Sequence, residues 1–101
     1  MEILSLAEIV KVICGQIISG DRSAKTKGIS TDSRTIKPGD LFFAIKGERL
    51  DGHQYITQAM DTGAVGAVIS NEYKIESEYG NFSIIRVKDT TTALGDLAKY
   101  Y

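Results

Sequence analysis

The stretch DLFFAIKGERLDGHQYITQAMDTGAVGAVIS, residues 40–70, decides the fold. Leu41-Phe42-Phe43-Ala44-Ile45 is an unbroken apolar run, the pattern of a strand buried on both faces rather than on one. A loop bounded by Gly47 and Gly52 follows and leads through His53 into Tyr55, Ile56, Ala59 and Met60, whose spacing is helical. Gly63 is a natural helix stop, and Ala64 to Ser70 is a second apolar run. Strand, helix and strand in this order predict a parallel crossover, because two parallel strands cannot be joined by a tight turn.

Working towards the N-terminus, Lys37-Pro38-Gly39-Asp40 reads as a turn, with proline fixing one φ and glycine accepting the positive φ that often follows. Before it, Gly28 to Arg34 reads as a strand running into a polar corner. Ser5-Leu6-Ala7-Glu8 is a capping box, followed by Leu6, Ile9, Val10 and Ile13 on one helical face, with Gly15 expected as the stop. Gln16 to Ser19 reads as a short strand and Gly20-Asp21 as a turn. Towards the C-terminus, residues 71–81 read as an acidic surface loop in which Glu72, Glu76 and Glu78 form a solvated face, and Phe82 to Val87 as a further strand. Asp89 is an expected N-cap for a last helix with Ala93, Leu94, Leu97, Ala98 and Tyr101 on one face. No C-cap signal ends it, so a cut helix or a linker to further chain is expected. The whole predicts a single α/β domain with a mixed, mostly parallel sheet flanked by helices.

A chain of 101 residues fits one domain and buries roughly 60 to 65% of its unfolded surface. The 43% hydrophobic fraction supplies one modest core. Twelve Lys and Arg against 13 Asp and Glu give a net charge of −1, which argues against a basic nucleic-acid binder and against an anionic membrane surface as partner. Glu2, Glu8 and Lys11 interrupt the apolar start, so neither a signal peptide nor a membrane span is read there. Cys14 is the single cysteine; it has no partner for an internal disulfide and forms no zinc site with His53 alone. A cytoplasmic location is the resulting expectation.

Two segments carry the candidate chemistry. Gly47 to Gly52 has the spacing G-x-x-x-x-G between a strand and a helix, yet His53 and Gln54 stand where an NTP-binding loop needs Lys and then Ser or Thr. Either its backbone amides, with Lys46 and Arg49 nearby, take an anionic group such as a diphosphate, or it is a surface turn with solvated charges. Thr31-Asp32-Ser33-Arg34 either reads the edge of a heterocycle or a phosphate, or Asp32 or Ser33 closes an Asx- or ST-turn with Arg34 paired internally. Seven basic and five acidic residues lie between Asp21 and Gly52, a lean towards an anionic ligand on this side. Cys14 is read as a small core residue and His53 as a capping or hydrogen-bonding group, since no nucleophile or orienting partner is evident beside it. No catalytic residue and no metal ligand is assigned.

The ordered motifs TDSR, PGDLFFA, KGERLDGH and the GA before a strand, with VKDTTTALGDLAKYY at the end, resemble the N-terminal domain of the Mur ligases, the cytoplasmic amino-acid-adding enzymes of peptidoglycan synthesis. KGERLDGH is most similar to the branch that adds D-alanyl-D-alanine; the branch that adds the third amino acid is the close alternative, and a non-enzymatic interaction module of the same fold is another. The resemblance implies that residues 1–101 bind the UDP end of a UDP-N-acetylmuramoyl peptide. Thr31, Asp32 and Ser33 would lie against the uracil and ribose, and Glu48, Arg49 and Leu50 would complete the pocket, with Arg34, Lys46 and Gly47 beside them. It also implies covalently linked central and C-terminal ligase domains that use ATP and magnesium. No cofactor is expected in this chain, and neither nucleic acid nor membrane as partner.

Overall fold

The computed structural model describes residues 4–47, 49–75 and 80–100. Its centre is a five-stranded sheet built from β2 (Gln16–Ser19), β4 (Gly28–Ser30), β5 (Asp40–Phe43), β6 (Gly66–Ser70) and β7 (Ser83–Val87), in the order β2-β7-β6-β5-β4. Strands β4 to β7 run parallel, and β2 pairs antiparallel with β7 at one edge. The mixed, mostly parallel α/β sheet expected from the sequence is therefore present. A second, two-stranded pair joins β1 (Leu4–Ser5) to β3 (Lys25–Thr26); two-residue strands carry no periodicity to read.

Alternation along the strands sorts the core into two layers. Leu41, Phe43, Val68, Ile85 and Val87 face α1 (Leu6–Ile13) and α3 (Thr90–Tyr100), while Phe42, Ala44, Ala67, Ile69 and Ile84 face α2 (Ile56–Thr62). Helix α1 begins in the expected capping box: the Glu8 backbone N–H donates to Ser5 Oγ at 3.2 Å, and the Ser5 backbone N–H donates to the Glu8 carboxylate. It buries Leu6, Ile9 and Ile13, each contributing about 1.5–3 kcal/mol.

The helix ends differently from the expectation. Cys14, not Gly15, takes the left-handed cap at φ 55°, and it is exposed rather than a core residue. Gly15 serves a different need, because a Cβ there would lie 2.8 Å from Ile85 Cγ2. Helix α2 closes on Gly63 at φ 110°, as expected. At α3, the Thr92 backbone N–H donates to Asp89 Oδ1 at 3.0 Å, the expected cap. The buried face of α3 is Thr90, Ala93 and Leu97; Ala98 is exposed, and Tyr101 lies outside the described residues. Glu72 is exposed as expected, while Glu76 and Glu78 lie outside the described residues.

The connection between β4 and β5 shapes the surface at their ends. Residues 31–39 return the chain from the end of β4 to the start of β5 across the α2 face, where Ile36 packs into the core. The turn at 37–40 forms as read, with the Asp40 backbone N–H donating to the Lys37 carbonyl at 3.0 Å and Gly39 at φ 90°. Buried Thr26 ties this turn to β4 by donating to the Gly28 and Gly39 carbonyls.

Candidate functional site

A groove of about 370 Å³ opens beyond the C-terminal ends of β4 and β5, lined by Thr31, Asp32, Ser33, Arg34, Phe42, Ile45, Leu50, Gly52 and Tyr55. Crevices past the carboxyl ends of parallel strands are where open α/β sheets take ligands, and the size falls within the usual range of about 300–1,000 Å³. The fold thus brings TDSR and Leu50, well separated in the chain, to one opening. A larger, more open depression between α1 and α3, lined by Glu8, Lys11, Val12, Asp96, Lys99 and Tyr100, lies away from both candidate segments.

The first wall closes on itself. Asp32 Oδ1 accepts the Arg34 backbone N–H at 2.9 Å, and the Arg34 guanidinium pairs with both Asp32 oxygens at 3.0 and 2.9 Å. Of the two readings of this corner, the Asx-turn with internal pairing is the geometry adopted. The Arg34 side chain remains 82% exposed, and a guanidinium has five N–H donors, of which the pair uses two. The side-chain and backbone hydrogen bonds from Arg34 hold the Asp32 carboxyl below its usual range, and the same pairing raises Arg34. Ser30 Oγ braces the corner by donating to the Asp32 carbonyl at 2.9 Å. Ser33 is buried, its hydroxyl 3.4 Å from Gln58 Oε1 on α2.

The second wall is a miniature hairpin. Lys46 bridges antiparallel to Asp51, the Gly47 N–H donates to the Leu50 carbonyl, and the Gly52 N–H donates to the Ile45 carbonyl, both at 2.8 Å. The glycine spacing follows from this geometry: a Cβ on Gly52 would sit 2.7 Å from the Ile45 nitrogen and 3.1 Å from Ala44 Cα. The Gly47 and Gly52 amides are therefore engaged within the loop rather than held open as a phosphate cradle. Asp51 also caps the 3-10 turn Gly52–Tyr55, its Oδ1 accepting the His53 backbone N–H at 3.0 Å. Lys46, Gly47 and Arg49 are exposed and do not line the groove. Glu48 lies outside the described residues.

His53 is 5% exposed and fills the space under this hairpin. Its Nε2 accepts the Ser70 backbone N–H at 3.1 Å, and its Nδ1 stands 2.6 Å from Asp51 Oδ1. A backbone N–H only donates, so Nε2 carries no proton and Nδ1 donates to the carboxylate. Burial pushes the Asp51 carboxyl up, but hydrogen bonds from the His53 ring and backbone, with the charge of Lys46, outweigh it and leave the group below its ordinary value. The Tyr73 ring packs on the imidazole at a centroid distance of 4.7 Å. With both nitrogens engaged, His53 is a hydrogen-bonding group.

Phe42, Ile45 and Tyr55 join the groove without having been singled out by the sequence as ligand-facing, whereas Gly52 belongs to the loop already read as a candidate. Ile45 and Tyr55 read there as parts of a strand and a helix face; the available signal is their position immediately past a parallel strand or at a helix start, next to the polar corner. Among the described residues, no group of three or more His, Cys, Asp or Glu side chains is placed to hold a metal ion, and no helix is long and apolar enough to cross a membrane.

The sequence model described as "Mur ligase family, catalytic domain" matches residues 25–101. The UDP-N-acetylmuramoyl-L-alanyl-D-glutamate–2,6-diaminopimelate ligase of Phocaeicola vulgatus is 42% identical over 97 residues, covering 94% of this chain and 19% of that protein. The UDP-N-acetylmuramoyl-tripeptide–D-alanyl-D-alanine ligase of Haemophilus influenzae is 37% identical over 99 residues, covering 96% and 20%. A crystal structure of MurF from Acinetobacter baumannii superposes with a TM-score of 0.83 at 31% identity, covering 99% of this chain and 21% of that one. The chain thus spans about a fifth of the length of the relatives it matches.

Proposed function

Because this chain belongs to the Mur ligase family, we propose that its groove binds the uridine diphosphate end of a UDP-N-acetylmuramoyl peptide. The observation that carries this reading is the meeting of Thr31–Arg34 with Leu50 in one groove beyond β4 and β5. Ile45, Tyr55 and the 62%-exposed Leu50 offer apolar surface to a flat base over the buried Phe42. Thr31, Asp32 and the outward N–H groups of Arg34 offer hydrogen bonds to a base edge, ribose hydroxyls or a phosphate. Lys46 and Arg49, exposed on the hairpin, add positive charge near the same opening.

The names of the two relatives support the same ligand by a different route. One adds diaminopimelate and the other D-alanyl-D-alanine, but both names begin with UDP-N-acetylmuramoyl. A domain similar to both is expected to bind what their substrates share. The KGERLDGH motif and the likeness to MurF support the D-alanyl-D-alanine branch; the 42% identity supports the diaminopimelate branch. Assaying the complete protein with each amine substrate separates them.

The chain's part in the reaction is remote binding energy, which holds a long substrate so that its reacting end lies in a catalytic site. The matching family description names a catalytic domain. The residues here do not fit an ATP phosphate, because His53 and Gln54 replace the Lys and Ser or Thr of an NTP loop and the His53 ring is turned to Asp51 and Ser70. No ATP-dependent or magnesium-dependent step is therefore derived for these residues; ATP and magnesium belong, in this reading, to further domains of a longer cytoplasmic ligase.

The test is an NMR titration of the ¹⁵N-labelled chain with UDP, with ATP as control. UDP is expected to shift the amides of Thr31 to Arg34, Leu50, Gly52 and Tyr55 at concentrations where ATP does less. Shifts confined to the α1–α3 depression, to Cys14 or to residues 71–75 would overturn the reading.

A further inference from the structure

We propose that His53 is the positioning residue of the groove: through one fixed tautomer it ties the hairpin bearing Leu50 to the end of β6. The inference rests on the proposed nucleotide site for its functional consequence and on geometry alone for its structural half. The hairpin leaves the C-terminal end of β5 and, among the described residues, holds its shape by two backbone hydrogen bonds of its own, Gly47 N–H to the Leu50 carbonyl and Gly52 N–H to the Ile45 carbonyl, which set Lys46 opposite Asp51. Those contacts fix the hairpin internally and leave its tilt relative to the sheet to other groups. A two-stranded hairpin of this size is marginal by itself.

His53 supplies the external tether. Nδ1–H donates to Asp51, next in sequence to the groove residue Leu50, while Nε2 accepts from the Ser70 backbone at the end of the neighbouring strand β6. The ring is nearly fully buried and is packed by Tyr73, so its own nitrogens have no water as a ready substitute, while the Asp51 side chain at one end of the tether stays 34% exposed. The segment carrying Tyr73 is itself fastened, because the Arg86 guanidinium on β7 donates to the Asn71 and Tyr73 carbonyls at 3.0 and 3.1 Å. The imidazole thus ties the hairpin that continues β5 to the C-terminal end of β6 by hydrogen bonds and, through the Tyr73 ring, to a segment fastened to β7. The orientation is one-way: a proton on Nε2 would set a donor against the Ser70 N–H and leave Nδ1 as an acceptor facing a carboxylate.

The consequence for binding is pre-organisation. A loop already held in its binding orientation loses less conformational freedom when a ligand arrives. An untethered hairpin would still carry Leu50, but in a range of tilts.

Three measurements on the 101-residue chain decide the matter. First, the ring ¹⁵N spectrum of His53 is expected to show a pyrrole-type Nδ1 and a pyridine-type Nε2; the reverse assignment overturns the proposal, and this test needs no variant. Second, amide hydrogen exchange at Gly47 and Gly52 is expected to quicken in His53→Ala by about tenfold or more beyond the change at Ala67 and Ile84 in the β6–β7 ladder, which report the loss of global stability. Third, the UDP dissociation constant is expected to rise about tenfold in His53→Ala, the size of losing one buried hydrogen-bonded tether. His53→Gln, whose amide oxygen reaches the Nε2 position and accepts from the Ser70 N–H but has no donor at the Nδ1 position, is expected to recover part of both effects. Exchange at Gly47 and Gly52 that quickens no more than in the ladder, or faster exchange with unchanged UDP affinity, would contradict the proposal. If the unmodified chain binds no UDP, the ligand reading fails, and the exchange comparison with the ring spectrum still decides the role of His53.

Discussion

The two walls of the groove are built on opposite principles. The Thr31–Arg34 corner holds its shape mainly by contacts between residues two or three apart, with Arg34 open to solvent and the buried Ser33 hydroxyl reaching out of the segment, to Gln58. The 45–52 hairpin is held by steric closeness at Gly52 and by a buried ring reaching 17 residues along the chain to Ser70. An exposed ion pair contributes little to folding because water and salt screen it, whereas a buried polar tether is costly to break. One wall is therefore cheap to alter and chemically expressive; the other joins the ligand-facing loop to the stability of the sheet.

Substitutions that break the second wall carry the largest expected effects. Gly52→Val places a side chain against the backbone of Ala44 and Ile45, which cannot give way, and is expected to cost roughly 2–3 kcal/mol in a urea unfolding midpoint. Gly47→Ala sharpens the contrast: its Cβ meets only the Leu50 carbonyl, at 3.3 Å, so the loss should stay below about 1 kcal/mol. His53→Ala leaves the Ser70 N–H and the Asp51 carboxylate without their partner, and about 1–3 kcal/mol is expected from the same measurement.

The acid limb of stability comes next. Asp32 and Asp51 both have carboxyl groups held below their ordinary values in the folded chain. Groups shifted this way stabilise the fold fully above the unfolded carboxylate pKa of about 4, and the contribution is lost as the pH falls through the lower folded values. Unfolding midpoints should fall below about pH 4, and Asp51→Asn should flatten that fall. The smallest effect on folding belongs to Asp32→Asn, which opens only an exposed pair. Its unfolding midpoint is expected to stay within error of the unmodified chain, while UDP affinity drops about three- to tenfold by calorimetry.

The same division explains what is legible in the sequence. The Ser5–Glu8 capping box, the 37–40 turn, the Asp89 cap, the Gly63 stop and the Asx-turn at Asp32 all depend on neighbours within about four residues, so residue type and spacing announce them. The apolar runs of β5, β6 and β7 are legible because strands buried on both faces need no alternation. What stays hidden depends on distant chain. Gly15 resembles a helix stop because its real constraint, contact with Ile85, lies on β7. Cys14 reads as a core residue because an apolar helix precedes it, yet it falls just beyond the last buried position, Ile13. The hairpin glycines resemble a phosphate loop until the fold presses Gly52 against Ile45. His53 offers no sign of Ser70. TDSR is legible as a polar corner, but its apolar companions Phe42, Ile45 and Tyr55 become neighbours only once β4 and β5 are set side by side.

The central claim is that these two unlike walls form one nucleotide site, and intermolecular nuclear Overhauser effects between bound UDP and the labelled chain test it most directly. The account predicts contacts from the uracil ring protons to the Leu50 methyls together with contacts to Thr31 or Ser33 on the opposite wall. Contacts to one wall alone, or to Val12 and Tyr100 in the α1–α3 depression, would contradict it.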